Sequence, residues 1–154
     1  MLGWFYRFTL SWKGDCHLRT LLVEDSNFFR QLFKETLYSR FQFMEILEAS
    51  NGEEALQKIE TLAPALVFVD IKLPGENGLK LAERIKSLHP GISIVILTSY
   101  DWPEYREAAY QYTEYFLSKG ATTRNGILDM VESILSKRGR AGAGDPGPGE
   151  GFRP

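Results

Sequence analysis

The chain is poor in the residues that most metal and disulfide chemistry requires. It has one cysteine, Cys16, among 154 residues. That excludes an internal disulfide framework and a Cys-rich zinc site. Its two histidines, His17 and His89, make a His-based metal centre a poor reading. No apolar run approaches the roughly 20 residues of a membrane-spanning helix. The formal net charge is only −2, which argues against direct nucleic-acid binding by a broad electrostatic surface. No G-x-x-x-x-G-K-[ST] run occurs, so a P-loop nucleotidase is excluded at the level of motif. What is present is 44% hydrophobic and 25% charged, an ordinary globular balance. A domain of this length buries roughly two-thirds of its unfolded surface, enough for a core without staples.

Composition shifts at both ends. Residues 1–18 read as an irregular N-terminal extension, with Trp4, Phe5, Tyr6, Phe8 and Trp12 among the first twelve. Arg7 and Lys13 interrupt the aromatics and no small-residue cleavage site follows, so a secretory signal fits poorly. An interfacial anchor is the alternative. Residues 139–154 contain nine Gly or Pro in sixteen and read as a flexible tail with no second domain behind it. The domain itself is expected over 19–138.

That middle alternates short apolar runs with amphipathic ones. Residues 20–23, 43–48, 65–69, 92–97 and 114–117 read as strands. Between them, Phe29, Leu32, Phe33 and Leu37 fall at helical spacing, as do Ala55, Leu56, Ile59 and Leu62, and then Leu79, Ala82 and Ile85. Ser50 to Glu53 has capping-box spacing. Asp101 is placed to cap a helix over Pro103 and Glu104. Thr122 or Thr123 opens a last helix bearing Ile127, Val131, Ile134 and Leu135. Five apolar strands alternating with five helices predict an α/β domain with a doubly wound five-stranded parallel sheet. Such folds place their sites beyond the carboxyl ends of the strands.

The first strand runs into Glu24 and Asp25, the third ends at Asp70, the fourth at Thr98 and the fifth at Lys119. Three carboxylates, a hydroxyl and an ammonium therefore meet at one sheet edge. Each has an ordinary explanation alone, as a helix cap or a solvated loop residue. Together they are expensive: carboxylates about 5 Å apart repel by roughly 3 kcal/mol per pair at an effective dielectric of 20. Lys119 offsets part of that, and Mg²⁺ suits a hard site of few carboxylates.

The pattern LLVEDS, VFVDIKLPGENG, ILTS and FLSKG resembles the receiver domain of bacterial two-component response regulators, over about residues 19–137. The separations Asp25–Asp70, Asp70–Thr98 and Thr98–Lys119 are 45, 28 and 21 residues and suit a compact receiver. The resemblance implies a flavodoxin-like receiver fold in which Asp70 accepts a phosphoryl group. It implies that Glu24, Asp25, Asp70 and the backbone carbonyl of Lys72 hold Mg²⁺. Thr98 would bond a phosphoryl oxygen, Lys119 would pair with the phosphoryl group, and Phe116 would be the aromatic switch residue. Pro74, Gly75 and Gly78 match the loop after the acceptor.

The resemblance also implies a cytoplasmic protein with a histidine kinase or phosphotransfer partner. The downstream contact, to another protein or a second copy, would use the face of the fourth helix, fifth strand and fifth helix. There Trp102, Tyr105, Tyr110, Tyr112 and Tyr115 are gathered. Self-phosphorylation and dephosphorylation would depend on Mg²⁺, without turnover of an external substrate. Gly120 after Lys119, and the run from Asn125 to Leu135, look like receivers attached to helix-turn-helix DNA-binding domains, whose receiver fragment is one alternative. Tyr115 stands where receivers usually carry Gly. Lys72 and Tyr100, each two residues past a site residue, are placed to shield an acyl phosphate and slow its loss. Two competing classes are a phosphorylation-independent pseudo-receiver and an aspartate-nucleophile phosphatase. The complete acid pair, Asp70, Thr98 and Lys119 disfavour the first, and Lys72 in place of a second acid disfavours the other.

Overall fold

The computed structural model describes residues 18–142, apart from positions 101 and 114. Of these, residues 18–124 belong to one compact unit, and the last helix is described by itself. The elements are β1 (Leu18–Val23), α1 (Asn27–Tyr38), β2 (Met44–Ala49), α2 (Gly52–Leu62), β3 (Leu66–Asp70), α3 (Gly78–Leu88), β4 (Ser93–Thr98), α4 (Pro103–Ala109), β5 (Tyr115–Ser118) and α5 (Arg124–Gly142). A miniature antiparallel hairpin pairs Lys72–Leu73 with Glu76–Asn77 between β3 and α3.

The five strands form one parallel sheet in the order β2-β1-β3-β4-β5. The chain leaves β1 toward β2 and returns on its other side to β3. That reversal opens a crevice beyond the carboxyl ends of β1 and β3, where ligands of such sheets bind. β3 is buried throughout, as a central strand covered on both faces must be. Its Val67 and Val69 join Ala55, Ile59, Leu81 and Ile85 from α2 and α3 in one apolar cluster. Phe68, on the opposite face, meets Phe33 of α1 edge-on at 4.9 Å. Burying each such side chain is worth about 1.5–3 kcal/mol, and this anchors the strand ends that carry the site.

Local chemistry sets the helix starts. Ser26 caps α1 by accepting from the Phe29 amide at 3.2 Å, and Asn77 caps α3 by accepting from the Leu79 amide at 2.7 Å. The capping arrangement of α2 is one residue later than the S-x-x-E spacing predicts. Asn51 accepts from the Glu54 amide at 2.8 Å, while the Glu54 carboxylate accepts from the Ser50 amide at 2.9 Å. Asn is as good a cap as Ser, and the later register places Ala55 and Ile59 inward.

Other expectations shift for physical reasons. Leu18 is buried and pairs with Met44, so the first strand takes in a residue assigned to the extension. In α1 the buried positions are Phe33, Thr36 and Leu37, and Leu32 is 48% exposed. Thr36 is tolerated inside because its hydroxyl donates to the Leu32 carbonyl at 3.0 Å. Glu76 and Asn77, just before the helical spacing of Leu79, Ala82 and Ile85, form a hairpin strand, and α3 starts at Gly78. The N-cap of α4 is Trp102, without a side-chain cap bond, and the cap read at Asp101 lies outside the described residues. α5 continues through Gly142, four residues into the stretch read as a tail. In α5, Leu128, Val131, Ile134 and Leu135 are buried. Residues 1–17 and 143–154, with the rest of the extension and tail readings, lie outside the described residues.

Candidate functional site

Two loops build the crevice. After β1, the Glu24 carboxylate accepts from the Ser26 amide at 3.0 Å, which fixes the acid against the start of α1. Arg30 donates to the Glu24 carbonyl at 2.6 Å and to the Ser50 hydroxyl at 3.1 Å, tying the β1–α1 loop to the β2–α2 loop. After β3, Pro74 and Gly75 occupy the turn of the hairpin, and Gly75 has φ +72°. Pro followed by a left-handed Gly is the pair a type II turn demands. Gly78 then lies so close to the acceptor strand that a Cβ there would stand 1.9 Å from the Asp70 carbonyl oxygen. Its amide donates to the Ile71 carbonyl at 2.7 Å.

The structure brings four of the predicted side chains together. Carboxylate oxygens of Glu24, Asp25 and Asp70 lie within 4.8 Å of one another. Glu24 and Asp70 are buried, and Asp25 is exposed. The Lys119 ammonium donates to Glu24 Oε1 at 2.5 Å and to Asp70 Oδ2 at 3.1 Å. The Lys72 amide donates to Asp70 Oδ1 at 3.3 Å. Burial pushes the Asp70 carboxyl up from 3.8 to about 6, and the neighbouring Glu24 charge adds to that, against the opposing pull of Lys119.

A hard divalent cation fits this donor set. The ligand atoms are oxygens, they converge, and the three carboxylates face one ammonium, that of Lys119. Replacing buried ion pairs by apolar groups is often neutral or stabilising, so stability alone does not account for gathering these charges here.

Thr98 and Phe116 make no contact with these carboxylates among the described interactions. The Thr98 hydroxyl accepts from the Tyr100 amide at 2.9 Å and donates to the Tyr100 carbonyl at 3.2 Å. Its backbone carbonyl accepts from the Lys119 amide at 2.8 Å, which aligns the ends of β4 and β5. Phe116 is buried, with the Arg106 guanidinium 4.6 Å from its ring centroid and the Tyr110 ring at 6.3 Å. Trp102 stacks on Tyr105 at 5.2 Å and meets Tyr100 at a tilt at 5.3 Å. Trp102 and Tyr110 are about half exposed, while Tyr105 packs against the core.

Residues 20–132 match the family model for the response regulator receiver domain. The chain belongs to that family. It is 33% identical over 124 residues to an uncharacterized response regulatory protein of Staphylococcus epidermidis, covering 78% of this chain and 49% of that protein. It is 29% identical over 119 residues to the chemotaxis protein CheY of Halobacterium salinarum, covering 77% of this chain and 97% of CheY. Among solved structures, a CheY-like receiver domain protein from Methanospirillum hungatei superimposes with a TM-score of 0.71 at 26% identity. That match covers 78% of this chain and 94% of the other. The chain thus spans about half the length of the staphylococcal relative and nearly all of the halobacterial one. Receiver domains belong to two-component systems, bind Mg²⁺ at an acidic pocket and are generally not substrate-turnover enzymes. They interact in general with histidine kinases or phosphotransfer proteins.

Two features of this receiver's site were missed from the sequence. Arg30 is five residues past Asp25, one helical turn into α1, and nothing in the linear pattern marks it as the clamp on the Glu24 carbonyl. Phe29 reads as a core aromatic, yet its ring centroid lies 4.3 Å from the Lys119 ammonium. Only the crossover topology joins residues 90 positions apart.

Proposed function

We propose that this receiver accepts a phosphoryl group on Asp70 from a histidine kinase or phosphotransfer protein and switches its partner-binding face in response. The observation that carries the reading is the Lys119 ammonium held between Glu24 and Asp70 beside a convergent acid cluster. A carboxylate oxygen of Asp70 attacks the phosphorus, forming an O–P bond. The P–N bond to the donor imidazole breaks, and its electron pair stays on that nitrogen. Lys119 offsets the repulsion between the two anions and pairs with the transferred group. Glu24, Asp25, Asp70 and the Lys72 carbonyl would hold Mg²⁺, which when bound supplies charge neutralisation at the transferring oxygens.

Once phosphorylated, Asp70 presents new acceptor oxygens. The Thr98 hydroxyl exchanges its local bonds to Tyr100 for one of them, and Phe116 responds to the space this changes. The face carrying α4 and β5, with Trp102 and Tyr110 exposed, then engages a downstream protein or a second copy. The chain acts in the cytoplasm as a signalling switch without an external substrate. Among the described residues no helix is long and apolar enough to cross a membrane. Lys72, whose ammonium lies 5.4 Å from the Tyr100 ring centroid, shades the acyl phosphate with that ring and slows its hydrolysis. A half-life of only seconds in Mg²⁺ buffer would contradict that last point.

The test is incubation with a small phosphodonor and Mg²⁺, followed by intact mass. The reading expects an adduct of one HPO₃, about 80 Da, that Asp70→Asn abolishes. Phosphate release without an adduct would indicate a phosphatase, and no reaction would indicate a pseudo-receiver.

A further inference from the structure

The Lys119 ammonium has a third neighbour besides its two carboxylates: the ring of Phe29, 4.3 Å away at its centroid. We infer that Phe29 is a positioning residue whose π face holds the Lys119 ammonium in place for phosphoryl transfer at Asp70. This rests on the function proposed above. A lysine side chain has four flexible torsions, and two carboxylate contacts leave its third N–H direction free. An aromatic face attracts a cation electrostatically within about 6 Å, most strongly where water is excluded. The site is of that kind, with Glu24 and Asp70 buried and Lys119 largely so.

Phe29 is itself held at both ends. Its amide donates to the Ser26 hydroxyl at 3.2 Å, and the Ser26 amide donates to Glu24. Its ring stacks on Phe33 at 5.4 Å, and Phe33 meets Phe68, two residues before Asp70 on β3. The ring is thereby fixed to the loop bearing one carboxylate and to the strand bearing the other. The competing explanation is plain packing of a half-buried aromatic next to the exposed Phe28. Packing alone predicts that Leu serves as well as Tyr. A positioning role through the ring face predicts the opposite.

The experiment uses the full chain with Phe29→Leu and Phe29→Tyr, each checked for folding by circular dichroism. The rate of adduct formation from a small phosphodonor is measured at saturating Mg²⁺. Phe29→Leu should slow it about fivefold, and Phe29→Tyr should restore it to within about twofold of the parent. The second readout is the proton chemical shift of the Lys119 Cε methylene in the unphosphorylated protein. Ring-current displacement should vanish in Phe29→Leu and persist in Phe29→Tyr. Parental rate and chemical shift in Phe29→Leu would overturn the inference, as would equal slowing in both variants. If the parent itself forms no adduct, the functional reading fails, while the chemical shift still tests the contact on its own.

Discussion

Replacing Asp70 by Asn should stabilise this receiver in metal-free buffer at neutral pH. The Asp70 carboxyl rises from 3.8 to about 6 on folding, chiefly through burial and then through Glu24. The folded state therefore disfavours the ionised form. Above pH 6 the carboxylate is charged in both states, and the penalty is present in full. As pH falls from 6 to about 4, the folded protein takes up a proton that the unfolded chain does not yet bind, and the penalty disappears. A tenfold change in proton affinity corresponds to about 1.4 kcal/mol, so the neutral amide should gain up to about 3 kcal/mol at pH 7.5. Near pH 4 the gain should be close to zero. Urea unfolding of parent and Asp70→Asn in EDTA, at pH 7.5 and at pH 4, measures it. Saturating Mg²⁺ should shrink the neutral-pH difference, because only the parent retains the full carboxylate set. An Asp70→Asn protein no more stable than the parent at pH 7.5 would refute the reasoning, and so would a gain that ignores pH.

Two substitutions test the backbone, one at the site and one away from it. Gly78→Ala would bring a Cβ to 1.9 Å from the Asp70 carbonyl oxygen. Backbone must move there, so it should cost about 2 kcal/mol or more in denaturant unfolding and should slow adduct formation. Ala63 ends α2 with φ +48°, in the left-handed region where a Cβ is strained. Ala63→Gly should therefore raise stability by about 0.5–1 kcal/mol without affecting phosphorylation, measured by the same unfolding assay.

The strands and the site edge were legible because one rule governs both. Continuous apolar runs mark buried parallel strands, and polar residues just after them fall at one edge. Asp70 and Lys119 needed no further information to be brought together. The errors lie where local alternatives are close in energy. Ser50 and Asn51 are both good caps, and tertiary packing of Ala55 and Ile59 selects Asn51. Leu32 and Thr36 exchange burial because a hydroxyl can satisfy itself on the preceding turn. The hairpin at 72–77 has two-residue strands, too short for any periodicity to show. The Phe29–Lys119 contact depends on side-chain packing across the crevice, which spacing does not encode.

Borohydride reduction of the phosphodonor-treated protein tests the central claim most directly. It converts an aspartyl phosphate to homoserine, and peptide mass mapping then locates the converted residue. The account predicts homoserine at position 70 alone, dependent on both Mg²⁺ and donor. Conversion at Glu24 or Asp25 instead, or at no position, would contradict it.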